Sequence, residues 1–281
     1  MTDPREFEKI VRERFPEGRL TSQKGIATFH PESGPEAADL IRLANQKGQK
    51  LFITGFGNNI DPHDKRFASL VVIRSDRLNY IKEPERLKVV VGSGFPLREI
   101  NKYLKSFELY LPLGDLPYVG SVGGALAVGL TADRDDDESG AATALPISRF
   151  TLALKVATPT GELKTYGTTY EKDPSGENFA RALTPSWGLF GFIESATLRV
   201  IPLSAREEYP NLRQREVSHS AFLHTTFPKA KFSIIADKEK AQSKKEADFS
   251  SYMAKIRAKL DPNEIFPIVN ASPAFSKLKK T

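Results

Sequence analysis

Two glycine-rich stretches are the places where this sequence could do chemistry with its backbone. The first, Thr54-Gly55-Phe56-Gly57-Asn58-Asn59, leaves a short run of β-formers. Gly and Asn adopt left-handed backbone angles readily, so several N–H groups can turn into one concavity of the kind that holds phosphate. A plain tight turn uses the same residues, and the segment alone does not separate the two readings. The second stretch, Gly114 to Gly129, contains Gly120-Ser121-Val122-Gly123-Gly124-Ala125. Here either backbone approaches a ligand with no side chain in the way, or a Gly/Ala helix packs closely on a sheet.

Other chemistries find little support. The chain has 281 residues and no Cys, which removes thiolate catalysis, disulfides and Cys-based metal sites. No Gly-x-Ser-x-Gly elbow is present. The four His (His30, His63, His219 and His224) are scattered, and Asp133-Arg134-Asp135-Asp136-Asp137-Glu138 reads as a solvent-facing loop rather than a metal site. Catalytic side chains cannot be named, and no metal ligand set is expected. The net charge of +6 falls entirely after residue 200, where 15 basic residues meet 9 acidic ones. These charges are interleaved and lack stacking aromatics, so nucleic acid is not an expected partner. No apolar run approaches the roughly 20 residues of a membrane span, and the charged N-terminus lacks a leader pattern, so a cytoplasmic protein without membrane insertion is expected.

The elements that must position the glycine loops follow from caps and periodicity. Pro4 starts a helix with Phe7, Ile10 and Val11 on one face, ending before Pro16. Ser33-Gly34-Pro35-Glu36 is a capping box for a helix carrying Ala37, Leu40, Ile41 and Ala44, stopped by Gly48. Strands are predicted at 51–54, 70–74 and 87–91, and a short helix on Leu97, Ile100 and Leu104. From Phe150 the period becomes two, with a hairpin turning at Pro159-Thr160-Gly161-Glu162 and a further strand at 194–200. Beyond Pro202 the pattern weakens to one strand at 231–236 and a helix with Phe249, Tyr252, Met253, Ile256 and Leu260 on one stripe. The whole reads as an α/β start with an antiparallel addition.

The order of the segments resembles the FAD-binding domain of the vanillyl-alcohol oxidase and p-cresol methylhydroxylase (PCMH-type) superfamily, and within it the FAD-binding subunit of glycolate oxidase most closely. The matching pieces are Phe29-His30-Pro31-Glu32 before its helix, Leu51 to Asn59, Val89 to Gly94, Leu111-Pro112-Leu113 before Val119 to Ala125, Val156 to Leu163, Gly188 to Ile193, and Lys259 to Phe266. They cover residues 25 to 203 and 255 to 267.

The resemblance implies an α+β fold of two α/β subdomains: residues 1–110 as the first FAD-binding subdomain and 111–203 as a second, antiparallel-rich one. Residues 204–254 would be a reduced cap or partner-docking region, and 255–281 a segment returning to the FAD domain. It implies that Thr54, Gly55, Phe56, Gly57, Asn58 and Asn59 hold the pyrophosphate of FAD, and that Gly120, Ser121, Val122, Gly123 and Gly124 line the pyrophosphate and ribityl chain. Main-chain groups near Ile193 would meet the adenine. Covalent members use a His or Cys near these loops, and this chain has neither there, so non-covalent FAD is expected. The implied activity is oxidation of a small organic substrate, a 2-hydroxy acid among the candidates, with electrons passed to a partner subunit. The rival is a non-catalytic assembly module that keeps the fold without functional flavin. Trp187, the single Trp, is either a core residue or a flank of the cofactor.

Overall fold

The computed structural model describes residues 4–58, 61, 63, 67–135, 142–167, 180, 183–216 and 254–268. Helix α1 (Pro4–Arg14) buries Phe7 and Val11 and stops short of Pro16. Strands β1 (Leu20–Gln23) and β2 (Ile26–Phe29) form an antiparallel hairpin. Its two-residue turn, Lys24-Gly25, has both φ angles positive, at 53° and 77°. This primed geometry suits strand twist, but Lys-Gly is not one of its common sequence signals. Helix α2 (Gly34–Lys47) is closed by Ser33, whose side chain accepts from the Glu36 N–H, and by Gly48 at φ 66°. Strands β3 (Leu51–Thr54) and β4 (Val71–Arg74) complete a sheet of order β1-β2-β4-β3 in which β4 runs parallel to both β2 and β3.

The chain continues with β5 (Lys88–Gly92), α3 (Ile100–Leu104), β6 (Leu109–Tyr110), α4 (Val122–Val128), β7 (Thr131–Asp135) and β8 (Ala142–Pro146). Next come β9 (Thr151–Ala157), β10 (Leu163–Gly167), β11 (Phe192–Arg199), β12 (Ile201–Pro202) and β13 (Arg213–Gln214). The second main sheet has order β10-β9-β11-β5, antiparallel throughout. Strand β5 therefore precedes residue 110 in sequence yet pairs with β11. Strand β11 is buried along almost its whole length, because α2 packs against β9, β10 and β11 while α4 packs against β11 and β5. The fold is mixed α and β, as the segment order implied.

Two apolar cores result. One joins Phe7, Phe29, Leu40, Ile41, Leu51 and Ile73 around the first sheet; the other joins Val91, Leu97, Ile100, Leu126, Leu154 and Leu198 around the second. Ile265 and Phe266 enter the first core from the far end of the chain. The Asp261 carboxylate accepts the N–H groups of Ile265 at 2.8 Å and Phe266 at 2.9 Å, which shapes the return, and the Leu51 N–H then donates to the Ile265 carbonyl.

The expected solvent loop at 133–138 is corrected in its first half. Thr131–Asp135 is a strand, paired with β8 on one side and β13 on the other. Asp133 tolerates this position because Arg215 faces it across the β13 side as an ion pair. The predicted strand at 231–236 and most of the Phe249 to Leu260 stripe lie outside the described residues, although 254–260 are helical. No described helix is long and apolar enough to cross a membrane.

Candidate functional site

Strand β3 ends at Thr54 and releases the first glycine loop beneath the N-terminus of α4. The two glycine segments touch there: a Cβ on Gly55 would lie 2.9 Å from the Ser121 Oγ. Asn58 Nδ2 donates to the Val119 carbonyl at 3.0 Å, tying one loop to the other. Between them opens a cleft of about 710 Å³ of atom-free space, its mouth included. Thr54, Gly55, Phe56, Gly57, Asn58, Gly120, Ser121, Gly123, Gly124 and Ile193 all line it. Val122 does not: its side chain is fully buried in the second core, and its N–H bonds the Phe95 carbonyl. Asn59 lies outside the described residues.

The N–H groups divide into offered and used. Those of Gly55, Phe56 and Gly57 have no backbone partner among the described residues, and neither do those of Gly120 and Ser121. By contrast, the Gly123 N–H donates to the Ser93 carbonyl at 2.8 Å and the Gly124 N–H to the Ser121 Oγ at 3.1 Å. An N–H that no protein group has taken, beside an open cleft, is available to a ligand in place of water, so the offered set marks where an anion would sit.

Sequence reasoning did not place several other walls. Ser75, Ser93, Tyr118, Ser186 and Gly188 line the same cleft. Ser93 lies between two glycines at the exit of β5; its Oγ is buried and has no hydrogen-bond partner among the described residues. The Gly92-Ser93-Gly94 spacing is its one signal. A Cβ on Gly94 would fall 2.0 Å from the Ser75 carbonyl oxygen and one on Gly92 2.2 Å from that of Leu78, so glycine on both sides is what lets this serine reach the wall. Trp187 also lines the cleft while only 8% exposed, so it belongs to the core and to the wall at once. Its φ of 47° is left-handed, an uncommon state for a bulky residue, and its N–H donates to the Ala127 carbonyl at 2.8 Å.

None of the described lining residues is Lys, Arg, His, Asp or Glu. The ionisable groups stand one layer behind. Arg74, the last residue of β4, donates from Nη2 to the Phe56 carbonyl at 3.2 Å, and its Nε lies 3.6 Å from the Asp76 carboxylate. Asp76 accepts from His30 Nδ1 at 2.9 and 3.1 Å, and His30 Nε2 meets the Thr21 Oγ1 at 3.0 Å. Burial pushes the Asp76 carboxyl up, but the hydrogen bond from His30 and the charge of Arg74 outweigh it and hold it below its ordinary value. On the second sheet, Glu194 stands at a β-bulge in β11 and accepts from the Tyr80 hydroxyl and the Ser195 hydroxyl, both at 2.9 Å, with Lys155 Nζ at 3.3 Å. Burial first, and then the Glu194 carboxylate, push the Tyr80 hydroxyl up to about 12.

A dinucleotide cofactor suits these walls: backbone donors for its phosphates, a buried serine hydroxyl in want of a partner, and glycines that leave room for close approach. An α/β sheet and an antiparallel sheet facing each other across such a cleft define a nucleotide-cofactor-binding domain. Residues 26–167 match the family described as FAD binding domain, and the chain belongs to that family. FAD is the cofactor this family binds, and the residues present fit it.

The D-lactate dehydrogenase [cytochrome], mitochondrial, of Arabidopsis thaliana is 25% identical over 179 residues, which are 60% of this chain and 29% of that protein. Alkyldihydroxyacetonephosphate synthase, in P1 and in P212121, superposes with TM-scores of 0.54 and 0.56 at 20% identity. That match covers 70% of this chain and 41% and 40% of those chains. The chain thus spans less than half the length of these relatives.

Proposed function

We propose that this chain is an FAD-binding oxidoreductase, or the FAD-binding subunit of one, that oxidises a small organic substrate and passes the electrons to a partner protein. The observation that carries this is the uncharged, donor-lined cleft formed by the matched family region. Bound FAD would supply the two-electron acceptor chemistry. The chain's own part is to bind and orient it: the N–H groups of Gly55, Phe56 and Gly57 with those of Gly120 and Ser121 on the pyrophosphate, Gly123 and Gly124 allowing close approach, and the main chain at Ile193 on the adenine. With no Cys in the chain and no His among the described lining residues, the cofactor is held without a covalent bond. The likeness to D-lactate dehydrogenase makes 2-hydroxy acids the first substrates to try.

The substrate pocket is completed elsewhere. Residues 204–254 are short for a cap, and the excess of basic residues after 200 fits a surface that docks an acidic partner in the cytoplasm. Purified protein, incubated with FAD and passed through gel filtration, should keep flavin absorbance that denaturation releases. Addition of 2-hydroxy acids with an artificial electron acceptor should then bleach and restore it. A protein that stays colourless refutes the cofactor reading and leaves the non-catalytic assembly module in its place.

A further inference from the structure

We propose that Arg74 is the positioning residue and the counter-charge of the first glycine loop. The inference rests on the FAD reading above and concerns how a dianionic pyrophosphate is held in a cleft whose described walls carry no formal charge. Backbone dipoles alone can solvate such a group, but their orientation must be fixed beforehand. Arg74 fixes it. Its Nη2 holds the Phe56 carbonyl at 3.2 Å from the β4 side, away from the cleft. In a planar trans peptide the following N–H points the opposite way, so the Gly57 N–H turns toward the cleft.

The guanidinium also stands one peptide behind the loop with its side chain 25% exposed, so its full positive charge reaches the phosphate site and salt can screen it. Its Nε is buried and has no hydrogen-bond partner among the described residues, the Asp76 carboxylate being 3.6 Å away. Asp76 does not float: His30 grips its other side, and Thr21 meets the far nitrogen of His30. Thr21, His30, Asp76 and Arg74 thus form a rod from the β1–β2 hairpin to the underside of the phosphate loop. Arg77 stands beside the rod but is engaged by Glu32 at 3.0 Å and by the Gly18 carbonyl at 2.8 Å.

The test compares FAD affinity by equilibrium dialysis for the wild-type chain, Arg74→Gln and Arg74→Lys, each at about 20 mM and about 0.5 M salt. Glutamine keeps a donor for the carbonyl without the charge; lysine keeps the charge. At low salt R74Q should bind FAD about tenfold more weakly than wild type, with the deficit shrinking at high salt, while R74K stays within about threefold. Melting curves without FAD should place R74Q slightly below wild type and R74K, because the charge at residue 74 also helps to keep the Asp76 carboxyl ionised. Equal affinities of wild type and R74Q overturn the proposal, as do equal, salt-independent deficits in R74Q and R74K, which would mean packing alone. Should R74Q fail to fold, a wild-type affinity that does not change with salt overturns it just as well. A wild-type chain that retains no FAD at all refutes the cofactor reading and takes Arg74 with it, whereas binding by the wild type and R74Q alike removes Arg74 only.

Discussion

In the loop that follows β3, the N–H groups of Gly55, Phe56 and Gly57 have no backbone partner among the described residues, whereas across the cleft those of Val122, Gly123 and Gly124 are bonded to Phe95, Ser93 and Ser121. Both segments are rich in glycine, and both line the cleft. The first uses glycine to present donors. The second uses it chiefly to let other parts of the protein pack close: a Cβ on Gly123 would stand 2.6 Å from the Ser93 Cβ, and one on Gly120 would stand 2.5 Å from the Tyr118 ring. Glycine content therefore reports that backbone comes close to something, while the hydrogen-bond inventory decides whether that something is a ligand or the protein itself.

Substitutions can break this contrast. Gly123→Ala should have the largest effect on folding, because the Ser93 Cβ and the backbone behind it are not a flexible tip that can move aside. An overpacking cost of about 1–3 kcal/mol should lower the melting temperature measured by calorimetry before any FAD is added. If G123A kept its stability and lost only FAD, the added methyl would be meeting the cofactor and not Ser93. Gly57→Ala should do the reverse. Gly57 sits at φ 84°, so alanine strains the loop by about 1 kcal/mol, with a small change in melting but FAD affinity about tenfold lower by dialysis. Ser121→Ala removes the cap from the Gly124 N–H and should cost about 1 kcal/mol in denaturant titration, modest because one hydrogen bond is lost at a short helix.

The smallest effect sharpens the comparison through pH. Asp76, behind the first loop, has its carboxyl held below its ordinary value of 3.8. A lowered carboxyl stabilises the fold above that value, and its contribution fades as pH falls through the lowered one. The melting difference between wild type and Asp76→Asn should therefore be largest near neutrality and close below about pH 4. A difference that stayed constant from pH 7 to about pH 3 would show that the carboxylate charge does not matter.

Much of this was legible in the sequence. The α2 helix announces both ends, through Ser33 with Glu36 and through Gly48, because caps are local chemistry. Strands β3, β4 and β5 are visible as β-branched runs, and the two loops as glycine clusters. The β1–β2 hairpin was not visible, since Lys24-Gly25 lacks the usual turn residues and the four residues on each side are too few to show a period. Nor was β7, whose acidic composition argues for a loop until Arg215 is seen across the sheet. The rod behind the phosphate loop joins His30 to Asp76, 46 residues apart, and only the parallel pairing of β2 with β4 brings them together. Trp187 looked like a choice between core and cofactor wall, and the fold gives it both because the wall is the edge of the core.

Strand β3, which delivers the first loop, lies at the outer end of its sheet. Its free side is covered by the return segment, where Ile265 accepts from Leu51 and the Asn263 carbonyl accepts from Lys50. An uncovered edge strand is a template for pairing with other chains. While the protein is being made, β3 leaves the ribosome long before residues 261–266 exist, so its edge stays bare until that segment has been made. The closing of that edge is a late event in the life of each molecule, and it makes the last described segment the guardian of solubility for the strand on which the phosphate loop depends.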